Sequence, residues 1–246
     1  MSDVRENQEE VLAVLGQDFG SLHSKLALVY YSESNQVQVS RIQFQGRVDD
    51  PDYPETNSEF QFAASAAPRG QNTNLVGGKA AEQYDTCIPL KTMVVCLSIP
   101  KAWHRKKVVS GMHSGPELLE ALHTGKITTD MIRDALTTHF QRLRKMALLQ
   151  ANSQRVRVSI AVLALTYPNY LFEHESQHDS DRYMELYLEL IRIVWGPDIK
   201  VRVVSKGQAG ALHLCQAWFD TITGTVRQQV DCYSLRVFSS LKQKQT

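Results

Sequence analysis

VLAVLGQDFGSLHSKLALVYYSESNQVQVSRIQF, residues 11–44, is the stretch on which the fold turns. Val11 to Gly16 is a short apolar run ending in glycine, and Lys25 to Tyr31 and Gln36 to Phe44 are rich in β-branched and aromatic residues. Ser32 to Asn35 separates the last two with turn formers. The pattern predicts strand, tight loop, strand, turn, strand, because β-formers bounded by Gly, Ser and Asn read as hairpins.

Further along, Gly46 to Asn74 is crowded with Asp, Pro, Ser, Gly and Asn, which predicts loops around one short strand near Phe60 to Ala64. Gly115-Pro116 opens a short helix running through His123. Thr129 to Leu149 places Met131, Ile132, Ala135, Leu136, Phe140, Leu143 and Leu148 along one helical stripe. Val156 to Thr166 is apolar and β-branched enough for a buried strand, and Pro168 ends it by withholding a donor. A helix is expected from Ser180 to Trp195 with Tyr183, Tyr187, Leu190, Ile191 and Val194 inward, stopped by Gly196-Pro197. Ile199 to Ser205 follows as a strand, Gln208 to Phe219 as a helix, and Val226 to Phe238 as a strand. Strands alternating with helices make an α/β protein, a mixed sheet with helices packed on it.

The 246 residues suffice for one large domain, and 43% apolar residues for an ordinary core. With 27 basic against 26 acidic residues, no global field favours nucleic acid or an anionic membrane, and neither is expected as a partner. Met1 to Glu10 lacks the basic and apolar regions of a secretion signal, so a cytoplasmic or nuclear location is expected. The longest apolar run, Ile160 to Leu165, falls far short of the roughly 20 residues that cross a bilayer. Cys87, Cys96, Cys215 and Cys232 form no C-x-x-C pair and read as reduced, buried thiols.

Gly16-Gln17-Asp18-Phe19-Gly20-Ser21-Leu22-His23-Ser24 resembles the first phosphate loop of the seventy-kilodalton heat-shock chaperones and their fungal-type relatives, G-I-D-x-G-T-T-x-S. A hairpin turn of small residues lets backbone N–H groups approach phosphate, while a nearby acid organises a hydrated metal. Further matches follow in the family's order. Leu75-Val76-Gly77-Gly78-Lys79-Ala80-Ala81 resembles its L-I-G-x-x-A-A segment, and Ile88-Pro89-Leu90-Lys91 a lysine-bearing segment of the fungal branch. Ala164 to Tyr170 is similar to the T-V-P-A-Y-F crossover, and Ser205 to Ala211 stands where the family has N-E-P-T-A-A-A. The resemblance, from about residue 11 to 216, implies the N-terminal lobe of an actin-like ATPase, a ribonuclease H-like lobe on a five-stranded mixed sheet. It implies ATP or ADP with Mg²⁺ as ligand, held by Asp18, Gly20, Ser21 and Lys91. Asp18 also reads as a plain turn acid, and Lys91 as a surface or strand-end lysine.

Several positions depart from the pattern. Leu22 has no hydroxyl where the family has its second threonine, although Ser21 can replace the first. Lys206 reverses the charge of the acid near metal and attacking water, which undercuts Mg²⁺ binding and hydrolysis. The second phosphate loop, D-x-G-G-G-T-x-D, is reduced to Gln228 to Leu235 without its glycines, and Gln228 and Gln229 obstruct close backbone approach. Within the 246 residues none remain for the second lobe that in the family supplies the adenosine pocket.

His174-Glu175-Ser176-Gln177-His178 is a literal H-E-x-x-H, which on a helix sets two imidazoles on zinc with glutamate as general base, Glu185 or Glu189 being an available third ligand. Glu173, Asp179 and Asp181 instead mark a solvated helix entrance, the acids complementing the N-terminal dipole. Lys101 to Lys107 gathers basic residues around Trp103, a patch able to contact phosphates or stack a base, and in a nearly neutral chain it reads as a solvated loop.

The expected organisation is a flexible N-terminus at 1–10, a single lobe at 11–240 with an insert-like subregion at about 46–110, and a tail at 241–246. The expected function is a degenerate chaperone-like lobe with weak or no nucleotide binding that acts through a protein partner or as a homodimer. The alternatives are a nucleotide-binding half that needs a partner lobe, and a zinc peptidase on His174, Glu175 and His178.

Overall fold

The computed structural model describes residues 10–20, 23–32, 36–42, 62–63, 65–69, 73–76, 88–154, 156–167 and 177–205. All of these except Val204 and Ser205 belong to a compact unit, Met1–Val203; a second unit comprises Val204–Thr246. The expected helix at Gln208 to Phe219 and strand at Val226 to Phe238 lie outside the described residues.

The opening stretch forms three strands, β1 (Val11–Phe19), β2 (His23–Tyr31) and β3 (Val37–Arg41), paired antiparallel in succession. Alternation decides which face each residue takes. Ala13, Leu15, Gln17 and Phe19 are buried on one side of β1, while Leu12, Val14, Gly16 and Asp18 alternate onto the other. Ser24, Leu26 and Leu28 continue the buried face on β2.

β1 also pairs in parallel with β8 (Val158–Tyr167), and β9 (Lys200–Ser205) lies beyond it, giving the order β3-β2-β1-β8-β9. The register shifts between Ala13 and Val14, whose partners are Ile160 and Val162. This bulge brings Leu163 opposite Leu15 and Leu165 opposite Gln17, so that both strands bury matching residues. The short β4 (Phe62–Ala63) pairs with the start of β2. The protein is thus a mixed α/β fold built on a mixed sheet with flanking helices.

Two helices cover the buried face. α4 (Thr129–Asn152) begins where the Thr128 side chain accepts a hydrogen bond from the Met131 N–H, a helix-capping contact. Its buried residues are Ile132, Ala135, Leu136, His139, Phe140, Leu143, Met146, Ala147, Gln150 and Ala151. The expected stripe is corrected at its end: Leu148 is exposed, because steps of three and four from Leu143 lead to Met146 and Ala147 instead. α5 (Gln177–Trp195) starts three residues earlier than expected and buries all five residues assigned inward.

Between these parts stand further elements, most of which the sequence did not reveal. β5 (Ser65–Arg69), β6 (Thr73–Val76) and β7 (Ile88–Pro89) form a second sheet, of which β5 and the start of β6 fall in the stretch expected as loops. β5 tolerates Pro68 because β7 pairs only with Ser65 and Ala66, leaving Pro68 at an edge. Three short helices follow: α1 (Leu90–Ser98) and α2 (Ala102–Val109), which were not expected, and α3 (Gly115–His123), which has the bounds expected of the helix opened by Gly115-Pro116. α1 packs on α4 and α5 and is buried on almost every side. Its Cys96 is a free, buried thiol, pushed up in pKa by burial, with Arg105 nearby working in the opposite direction. Among the described residues no helix is long and apolar enough to cross a membrane.

Candidate functional site

Asp18 and Phe19 end β1, and the chain turns through Gly20 into β2. The Gly20 N–H donates to the His23 carbonyl at 3.0 Å, closing the hairpin. A Cβ built on Gly20 would stand 2.2 Å from that same carbonyl oxygen, so only glycine fits without moving backbone. Gly20→Ala is therefore expected to cost about 1–3 kcal/mol, read as a lower urea midpoint; an unchanged midpoint would show that the turn yields freely. Gly16, earlier on β1, carries no such demand, its added Cβ reaching only 3.7 Å from Ala27 O.

Asp18 alternates onto the sheet face opposite Phe19, where the hydroxyl of Thr166 on β8 donates to its Oδ1 at 2.6 Å. The two residues lie 148 positions apart in sequence and meet only because β1 and β8 are parallel neighbours. Lys25 stands opposite Asp18 across the β1–β2 ladder. His23, at the start of β2, has its imidazole pKa lowered, first by burial and then by Lys25.

Beneath the turn the packing is aromatic and polar. The Phe19 ring lies 5.3 Å from Phe140, 5.7 Å from Tyr187 and 6.0 Å from His139, centroid to centroid. Ser24 Oγ and His139 Nε2 share a buried hydrogen bond of 2.9 Å. Gln17 Nε2 donates to the Tyr187 hydroxyl at 3.2 Å, while Gln17 Oε1, though buried, has no hydrogen-bond partner among the described residues. Burial of Tyr187 raises its phenol pKa well above the usual value, partly opposed by the Gln17 hydrogen bond. The end of β1 is thus clamped to α4 and α5, and Asp18 stands on a rigid base.

Location adds chemical meaning. β1 sits in mid-sheet, with its hairpin continuing to one side and β8 and β9 on the other. The carboxyl ends of β1 and β8 therefore flank a point where connections leave in opposite directions, the position where open α/β sheets bind ligands. An acid held by a hydroxyl, beside a glycine turn, is suited to a hydrated cation or a phosphate-bearing ligand.

The other candidates are distributed elsewhere. Lys91 is 2% exposed in the first turn of α1, which corrects its reading as a surface lysine. α5 is the link, since α1 packs against it and its Tyr187 reaches Gln17. Ser21 and Leu22 lie outside the described residues, as do His174, Glu175 and Lys206. His178 falls in the first turn of α5, and Glu185 is exposed two turns on. Among the described residues no group of three His, Cys, Asp or Glu side chains could hold a metal ion. Thr166, Gln17 and His139 were not singled out from sequence; the signal for Thr166 was its place in the crossover-like segment Ala164 to Tyr170.

The chain matches no protein-family model and no curated protein.

Proposed function

We propose that the chain is a degenerate actin-like ATPase lobe of the heat-shock seventy-kilodalton type, binding nucleotide weakly or not at all and acting through a protein partner or as a homodimer. The observation that carries this reading is the Asp18–Thr166 pair at the carboxyl ends of parallel β1 and β8, beside a turn that demands glycine. A hairpin-first mixed sheet followed by a helix and a parallel strand supports it, because that is the order the resemblance implies.

The donor set fits a loosely held, hydrated Mg²⁺, which takes one or two carboxylates together with phosphate oxygens. Asp18 would hold it and Thr166 would orient the carboxylate, while the Gly20 N–H is already given to the His23 carbonyl. The metal would supply charge neutralisation on those oxygens. Turnover needs more than this: a positioned water and donors around the developing charge, in a site closed to solvent. Leu22 lacks a hydroxyl, Lys206 replaces an acid, and Gln228 and Gln229 replace glycines. Those four positions argue against hydrolysis.

Titration calorimetry with Mg-ATP is expected to give an affinity no tighter than about 0.1 mM, on the weak side of the range for enzyme substrates, and none in Asp18→Ala. The same protein should release no phosphate, and light scattering should find it larger than a monomer. Micromolar binding insensitive to Asp18→Ala would place the ligand elsewhere. Steady phosphate release that stops in Asp18→Ala would make the lobe an active ATPase.

A further inference from the structure

Residues Lys101 to Lys107, expected as a solvated loop, form helix α2 (Ala102–Val109) with its cap. The segment contains no Gly or Pro to interrupt a helix, and it is held firmly at both ends. The Arg105 guanidinium donates to the Ile99 carbonyl at 2.8 Å, tying α2 to the end of α1. Val109 is fully buried, Val108 packs against the core, and Gly115 approaches so closely that a Cβ there would stand 1.7 Å from the Val109 carbonyl oxygen. The cations of α2 therefore have separate roles: Arg105 is structural, whereas Lys101, Lys106 and Lys107 are exposed.

Trp103, Lys106 and Lys107 stand at i, i+3 and i+4, which puts them on one helical face. Trp103 is 68% exposed, and its indole lies against the His104 ring, 5.2 Å between centroids and 29° between planes. A large exposed ring with two ammonium groups one turn away is an arrangement that folding does not require. The sequence around it carries no acid: Thr86 to Pro116 contains neither Asp nor Glu. The nearly zero net charge of the chain thus conceals a basic stretch of sequence around one aromatic.

We propose that this face of α2 binds single-stranded nucleic acid, one base stacking on Trp103 while Lys101, Lys106 and Lys107 meet the flanking phosphates. Stacking accepts any base because each has a π-face, and the lysines act on the backbone, so the site is sequence-tolerant. An anionic membrane is the competing partner for a Trp–Lys surface, but an interfacial helix needs an apolar face to bury. Here Val108 and Val109 are turned into the protein and Trp103 is the only large apolar side chain α2 presents. The site is separate from the Asp18–Thr166 pair and does not depend on the nucleotide reading.

The test is fluorescence anisotropy of a labelled 15-nucleotide oligothymidine titrated with full-length protein at low salt. Wild type should bind with Kd below about 0.1 mM, the weak limit for non-specific nucleic-acid binding. Trp103→Ala should weaken binding about tenfold with the salt dependence unchanged, and Trp103→Phe should retain most of the affinity. Lys106→Glu combined with Lys107→Glu should flatten the log–log salt slope by about 1.4, two phosphate contacts at about 0.7 each. All these side chains are exposed, and circular dichroism checks that each variant is folded. Absence of binding in wild type, or binding indifferent to both sets of variants, overturns the proposal. So does binding to phosphatidylserine vesicles that exceeds binding to the oligonucleotide and is lost in Trp103→Ala.

Discussion

Phe19→Ala is expected to destabilise the protein by about 3–5 kcal/mol, the usual range for truncating a buried phenylalanine. Phe19 is 1% exposed and touches rings from both covering helices, Phe140 and His139 on α4 and Tyr187 on α5. Deleting the ring leaves a cavity bounded by three side chains, two of which have their own anchors. His139 is hydrogen-bonded to Ser24 and Tyr187 to Gln17, so neither ring is free to collapse into the space. Large cavity terms arise where a site collapses poorly. Urea unfolding followed by circular dichroism reads the effect, with Phe19→Leu as the milder comparison. A loss below about 1 kcal/mol for Phe19→Ala would mean that the hairpin end is not clamped between α4 and α5. Because Phe19 adjoins Asp18, the same substitution should also loosen the acid's geometry.

The parts of the fold legible in sequence are those whose periodicity runs long enough to be unambiguous. β1 to β3 showed as β-rich segments divided by turn formers, and α5 carried its stripe through Tyr183, Tyr187, Leu190, Ile191 and Val194. α1 was not legible because burial on nearly every side erases the contrast between faces, and Val94 and Val95 dilute its helical character. α2 has no apolar stripe either, its only inward anchors being the two valines at its end. The second sheet was hidden by composition, since Ser65–Arg69 contains a proline and no β-branched or aromatic residue.

The candidate site was half legible for a different reason. Asp18 and Gly20 announce themselves within a local motif, whereas Thr166 acquires its role from a pairing between strands separated by most of the chain. No local pattern encodes that register. It depends on the bulge between Ala13 and Val14, without which a different residue of β8 would face Asp18. The buried polar groups below the site were equally invisible. His139 occupies a position of α4 that periodicity alone would fill with an apolar residue, and nothing near it in sequence names Ser24 as its partner.

His139 should make the protein acid-sensitive well above the range where carboxylates titrate. It is completely buried beside Phe19 and Phe140, with Ser24 at 2.9 Å, and burial alone lowers its pKa from 6.5 to about 3. The folded state therefore holds a neutral imidazole at every pH above about 3, while the unfolded chain takes up the proton near pH 6.5. Above pH 6.5 neither state binds that proton and the residue adds no pH dependence. As the pH falls from 6.5 toward 3 the unfolded state gains a proton that the folded state refuses, so stability is lost as acid is added. The slope is about 1.4 kcal/mol per pH unit for one such group. A loss of this size within two or three units is a large share of the about 5–15 kcal/mol that stabilises an ordinary domain. Urea midpoints at pH 7, 6 and 5 give the slope for wild type and for His139→Gln, which removes the titration while leaving a polar group for Ser24. The variant is expected to be less stable at pH 7, from imperfect packing, and flatter in its pH dependence by most of that slope. Parallel lines for the two proteins would mean that His139 accepts a proton in the folded state, and that the pocket under the hairpin opens to water far more readily than its packing implies.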